Sequence, residues 1–213
     1  MDRSWFHVSD EPHGDETLER YRKARRMLRD LAPWMRISEA LSDLRFANEG
    51  LVEHPIPILN EVQGFRDAGI PSWAYFCCFP RGRWVNRLLD TPLHKVRMTG
   101  WLLHAMGVEG FLHWGYNYWH KGVTQQLVDP YHVTDAGMWP DWSHGDPFVV
   151  YPGPDGPLDS IRWEVFAESL QDLARLRQEG IQAGDPLLAG LRSFSEFPRD
   201  PAWLRRSRAR LLR

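Results

Sequence analysis

Short apolar segments and helical stretches alternate about five times between Ser4 and Trp114, and this order limits the fold more than any other feature of the chain. Such alternation marks βαβ units around a parallel sheet, whereas a sandwich would show strand after strand and a bundle only helical periods. Ser4–Ser9 reads as the first strand, beginning close to Met1 and stopped by Pro12. Asp15 is placed to cap a helix reaching about Leu31. Its apolar stripe is Leu18, Tyr21, Ala24, Leu28 and Leu31, with Arg22, Arg25, Arg26 and Arg29 toward water. Further strands are expected near Trp34–Ala40, Ile56–Asn60, Ile70–Phe79 and Val108–Trp114. A helical region spans about Val85–Met106, kinked or divided by Pro92. The expected fold class is α/β.

From Gly115 to Asp159 the chain runs for 45 residues with Tyr116, Tyr118, Trp119, Tyr131, Trp139, Trp142, Phe148 and Tyr151 along it. Connections of that length are uncommon unless they have a role. Pro147–Tyr151 reads as a short extra strand, followed by a turn cluster at Gly153–Pro157. Ser160 is placed to cap a helix reaching about Glu179, with Ile161, Val165, Phe166, Leu173 and Leu176 inward. Residues 181–213 read as a peripheral Arg-rich tail.

Composition removes several functions. With 26 Lys+Arg against 28 Asp+Glu, the net charge of -2 offers no basic field for a nucleic-acid backbone. No run of about 18 apolar residues is present, so no membrane span is expected, and the compartment is not set by the sequence. Cys77, next to Cys78 in an apolar run, could be a nucleophile but reads as a buried structural thiol. Neither a P-loop nor a dinucleotide-binding glycine pattern occurs, so no nucleotide cofactor is expected, and no metal is expected from the histidine spacing.

Two groups of residues could carry chemistry. Asp10 and Glu11 follow the first strand, and a parallel α/β sheet presents its functional groups at the carboxyl ends of strands. Two adjacent carboxylates can divide the work of glycoside cleavage, although an Asp-Glu-Pro turn also suits the approach to a helix N-terminus. Trp114, Tyr116, Asn117 and Trp119 could set ring faces and an amide against a sugar, or simply cover the mouth of the fold. A metal-dependent hydrolase using His7 or His13 with Asp10 is a third reading.

The motifs His7–Pro12, Arg36–Ala40, Trp73–Pro80, Asn86-Arg87, Leu89-Asp90, Gly110–Asn117, Gly145–Pro147, Tyr151–Gly153 and Ser160–Glu164 follow one another in the order of one family. The chain resembles the catalytic domain of glycoside hydrolase family 123, from its first residues to about Leu176. The resemblance implies a (β/α)8 TIM-barrel enzyme that removes terminal N-acetylgalactosamine from a glycan by a retaining, substrate-assisted mechanism. Glu11 would be the general acid and Asp10 would orient the substrate's acetamido group, with Trp114, Tyr116, Asn117 and Trp119 lining the sugar subsite and no cofactor required. The family's acidic pair follows the fourth strand, whereas here it follows the first. Residues 1–180 are therefore expected to be a partial catalytic domain, the C-terminal half of a barrel, able to self-associate through its open edge. A non-catalytic carbohydrate-binding protein with an aromatic cleft is the alternative.

Overall fold

A computed structural model describes residues 4–212. They fall into two compact units, one running to Tyr75 and taking in Val108–Leu112, the other formed by Phe76–Gly107 and the residues from His113 onward.

The first unit holds a row of parallel strand segments in chain order. Phe6 bridges Ile37 in parallel, β1 (Ser38–Ala40) pairs β2 (His54–Ile56), Ile58 bridges Tyr75, and β3 (Ala74–Tyr75) pairs β4 (Phe111–Leu112). The intervening chain carries α1 (Gly14–Leu31), α2 (Leu44–Asn48) and α3 (Val62–Asp67). Between β3 and β4 it carries α4 (Leu93–Ala105), which belongs to the second unit. The α/β class is therefore observed, and among the described residues the row does not close into a barrel.

The strands are shorter than the apolar runs that mark them, and β2 also begins two residues before the expected Ile56–Asn60, sharing only Ile56 with it; two prolines explain its poor pairing with β3. Pro55 and Pro57 present carbonyls to the β3 side, accepting from Trp73 N at 3.2 Å and Tyr75 N at 3.1 Å, but they have no N–H to return. The β2–β3 seam is thus a single bridge rather than a ladder. The expected first strand contracts similarly, to Phe6, whose N–H donates to Arg36 O and whose carbonyl accepts from Ser38 N.

Helix α1 buries Leu18 and Tyr21 against Ile37, Leu41, Phe46, Leu51 and Val52. Three expectations for it are corrected. Its N-cap is His13, which makes no side-chain cap, and Asp43 Oδ2 instead accepts from Gly14 N at 3.3 Å. Leu31 lies exposed beyond the end of the apolar stripe. Arg25, expected to face water, is buried and paired with Glu53, whose other oxygen accepts from Ile37 N at 2.8 Å. The partner comes from the turn before β2, so local periodicity could not show it.

In the second unit α4 begins immediately after Pro92, so the expected helix over 85–106 loses its first part. Proline disfavours helix in the residue before it, which sets this start. α4 packs on α5 (Ile161–Gln178) through Gly100, where an added Cβ would stand 2.0 Å from Ser169 O, and Gly100 N donates to Ser169 Oγ at 2.6 Å. Ser160 caps α5 as expected, through Trp163 N, but Ile161 is exposed rather than inward. Buried Asp172 accepts from Trp101 Nε1 at 3.0 Å, Arg97 Nε at 2.9 Å and Arg208 Nε at 3.1 Å, which ties α4, α5 and α6 (Pro201–Leu211) together. The expected turn cluster is the tip of an antiparallel hairpin of β5 (Val150–Gly153) and β6 (Gly156–Asp159). Leu187, Leu188, Leu191, Phe194 and Phe197 are all buried.

Candidate active site

The chain leaves the Phe6 segment and reaches Asp10 and Glu11 at the carboxyl end of the row of strands. Both acids are exposed, and Glu11 has φ 43°, a left-handed backbone conformation uncommon for a residue with a side chain. Tyr75, at the end of β3, donates its hydroxyl to Glu11 Oε1 at 2.5 Å. From the middle of β1, fully buried Glu39 supports the approach to the pair. Its Oε1 accepts from Val8 N at 2.6 Å, Ser9 N at 3.1 Å and the Tyr21 hydroxyl at 2.8 Å, and its Oε2 lies 2.5 Å from His7 Nδ1. Burial and the Glu39 carboxylate push the Tyr21 phenol well above its usual range. His13 Nδ1 lies 3.0 Å from Glu11 O. Among the described residues, no group of three or more His, Cys, Asp or Glu side chains is placed to hold a metal ion.

Trp114, Tyr116, Asn117 and Trp119 belong to the second unit. Gly115 lets their segment approach 147–148 closely: a Cβ there would meet Pro147 O at 2.6 Å. Asn117 then bridges Phe148 in antiparallel fashion. The three rings are held by different partners. Trp114 donates Nε1 to Asp146 Oδ2 at 3.0 Å, Trp119 donates Nε1 to Val150 O at 3.1 Å, and exposed Tyr116 packs edge-on against Trp163, with centroids 5.2 Å apart.

Asp146 joins Trp114 to an aromatic the sequence reading did not single out. It is 1% exposed, and the same Oδ2 accepts from Trp142 Nε1 at 3.1 Å. Trp139 stands edge-on to Trp142 at 4.3 Å and is 57% exposed. Trp142 lines an open cleft of about 550 Å³ with Arg81, Leu89, Asp90, Thr134 and His144. The cleft thus sets the Trp142 ring and the side chains of Leu88 and Leu89 beside polar groups.

Beneath the aromatic segment, burial and nearby Arg162 push the Arg87 guanidinium down to about 9, while Asp146 opposes that shift. Burial also pushes His113 below its ordinary value, Arg87 adds to the shift, and Asp146, 3.3 Å from its Nε2, opposes it. Burial lowers His54 as well, between Trp5 and Trp73. A histidine whose folded-state value is depressed binds protons more readily unfolded, so its contribution to stability is present above about pH 6.5 and is lost as pH falls toward the folded value. The melting temperature should accordingly fall as pH drops below about 6.5, and His113→Asn should flatten part of that fall. An unchanged slope in this variant would show that His113 does not cause it.

The thiols of Cys77 and Cys78 lie 3.8 Å apart, and the hydrogen bond between them, together with burial, raises Cys77 far above the thiol range. For Cys77 this is the opposite of what an activated nucleophile needs, while the same bond lowers Cys78.

The family described as glycoside hydrolase 123, catalytic domain, matches over residues 1–178. The chain belongs to glycoside hydrolase family 123. It is similar to a solved family 123 glycoside hydrolase from Clostridium perfringens, reported in a structural analysis of glycolipid glycan hydrolysis. The TM-score is 0.62 at 13% identity, over 98% of this chain and 39% of that one, so this chain spans about two-fifths of that protein's length. At that identity the likeness speaks for the fold alone. No curated protein matches the chain.

Proposed function

We propose that the chain carries the acid-bearing part of a glycosidase catalytic domain, comprising residues 1–180, that removes terminal N-acetylgalactosamine from a glycan with retention. The observation that carries this reading is the position of Asp10 and Glu11 at the carboxyl end of a parallel row of strands, in a chain of this family. In the first step Glu11 gives its proton to the glycosidic oxygen as the bond to the anomeric carbon breaks. The carbonyl oxygen of the sugar's own 2-acetamido group bonds to that carbon from the other face, and Asp10 balances the positive charge that develops on the acetamido nitrogen. In the second step Glu11 takes a proton from water, whose oxygen attacks the anomeric carbon and releases the acetamido group. No enzyme carboxylate attacks, which is the substrate-assisted exception to the usual pair of carboxylates. No cofactor enters either step. Trp114, Tyr116, Asn117 and Trp119 are proposed to contribute to the sugar subsite.

We read the row of strands as part of the wall of a (β/α)8 barrel, its C-terminal half. Its segments are parallel and adjacent in chain order, as barrel strands are. The Tyr75–Glu11 contact also spans three strand intervals, about 14 Å in a flat sheet, which suits a sheet that curls. Its unpaired edges would offer a place for self-association.

The exposed Trp139 and the cleft at Trp142 favour one alternative, a saccharide-binding protein without turnover. Incubation with a nitrophenyl N-acetyl-β-galactosaminide separates the two. Release of nitrophenol that falls by about 10²–10³-fold in Asp10→Asn is expected. Affinity for the sugar with no release, in wild type and variant alike, would establish the binding protein instead.

A further inference from the structure

We propose that Glu39 and Tyr75 are positioning residues for the acid pair, Glu39 fixing the backbone that enters it and Tyr75 fixing the carboxylate of Glu11. The inference rests on the glycosidase reading above but concerns residues that the acid pair itself does not reveal.

A carboxylate buried at 0% exposure between parallel strands costs several kcal/mol unless its oxygens are satisfied, and an apolar residue would fill the same space without that cost. Here the partners of Glu39 are concentrated on one stretch of chain. His7, Val8 and Ser9 are the three residues immediately before Asp10, and all three face this one side chain. The fourth partner, the Tyr21 hydroxyl on α1, fixes the orientation of the carboxylate from the helix side. Backbone amides donated to an ionised acceptor are among the stronger hydrogen bonds, so the segment is held at successive peptide units.

Tyr75 completes the arrangement from two strands further along the row. The residue is 6% exposed, and its hydroxyl reaches the Glu11 carboxylate itself. Glu11 must hold φ 43° to present that carboxylate, a conformation that persists only where its surroundings impose it. The parallel order of strands therefore brings β1 to the backbone and β3 to the side chain of one short turn. A general acid misplaced by about 1 Å can lose 10²-fold in rate, which is the scale on which such supports matter.

Two variants of the full chain test the proposal. Tyr75→Phe removes only a hydroxyl. It should lower kcat by about tenfold or more on a natural glycan, less on a nitrophenyl glycoside, with KM nearly unchanged, because misplacing the acid hurts most where the leaving group needs a proton. Glu39→Gln keeps the shape but weakens charge-assisted bonds. It should speed amide hydrogen exchange at Val8 and Ser9 and lower kcat on both substrates at nearly unchanged KM. A folded Tyr75→Phe with wild-type kinetics, or with equal losses on both substrates accompanied by a fallen melting temperature, would overturn the role of Tyr75. Unchanged exchange at Val8 and Ser9 would overturn that of Glu39. If Glu39→Gln does not fold, the leaving-group dependence of Tyr75→Phe decides alone. If the wild type cleaves no glycoside, the glycosidase reading fails, while exchange at Val8 and Ser9 still shows whether Glu39 holds the segment.

Discussion

Glu11→Gln is expected to depress hydrolysis of a natural glycan by about 10²–10⁴-fold, the usual contribution of a general acid, and to depress hydrolysis of an activated aryl glycoside far less. A sugar alkoxide leaves poorly without a proton, whereas a nitrophenolate leaves readily. Gln preserves the size of the side chain and its ability to accept from the Tyr75 hydroxyl, but it has no proton to transfer. The disparity between substrates is therefore the informative quantity. The check is kcat/KM for wild type and variant on both substrates, and equal losses on the two would count against Glu11 as the acid.

Asp10→Asn is expected to behave differently, slowing both substrates by a similar large factor. The acetamido group is the nucleophile that displaces every leaving group, so a residue that orients and charge-balances it serves every substrate alike. Loss of a preorganised electrostatic partner of this kind typically costs about 10²–10³ in kcat. Asp10 is exposed and sits in a turn rather than a core, so the substitution should leave the melting temperature close to that of wild type. A variant that discriminates strongly between leaving groups would assign Asp10 to proton transfer instead.

The order of elements was legible because apolar spacing and proline positions are local signals. β1, β3, β4, α1, α4 and α5 lie within the segments the alternation marks, whereas β2 starts two residues before the expected Ile56–Asn60, and Ser160 caps α5. Strand lengths were not legible in the same way, because pairing depends on which side each N–H faces. Pro55 and Pro57 both turn their missing donors toward β3, a fact that emerges only once register is known. The acid pair was legible from its place after a strand. Its supports were not: Glu39 stands 30 residues from Ser9 in sequence, and Tyr75 stands 64 from Glu11. The charge at position 39 within an apolar strand was the available sign, since a lone acid there needs a buried set of donors. Arg25 carries the same lesson, its burial set by Glu53 some 28 residues away. Asp146, which holds Trp114 and Trp142 by one oxygen, stands in the sequence only as the middle of the Gly145–Pro147 motif, with no sign of its partners.

Substrate-assisted cleavage is tested most directly by comparing wild-type kcat/KM on two aryl glycosides that differ only at the sugar's 2-position, one bearing an acetamido group and the other a hydroxyl. With the acetamido carbonyl as nucleophile, the hydroxyl substrate has nothing to attack the anomeric carbon, and its hydrolysis should fall to background while the acetamido substrate turns over. Comparable turnover of the two would contradict the account, because an enzyme that cleaves both equally well must supply its own nucleophile.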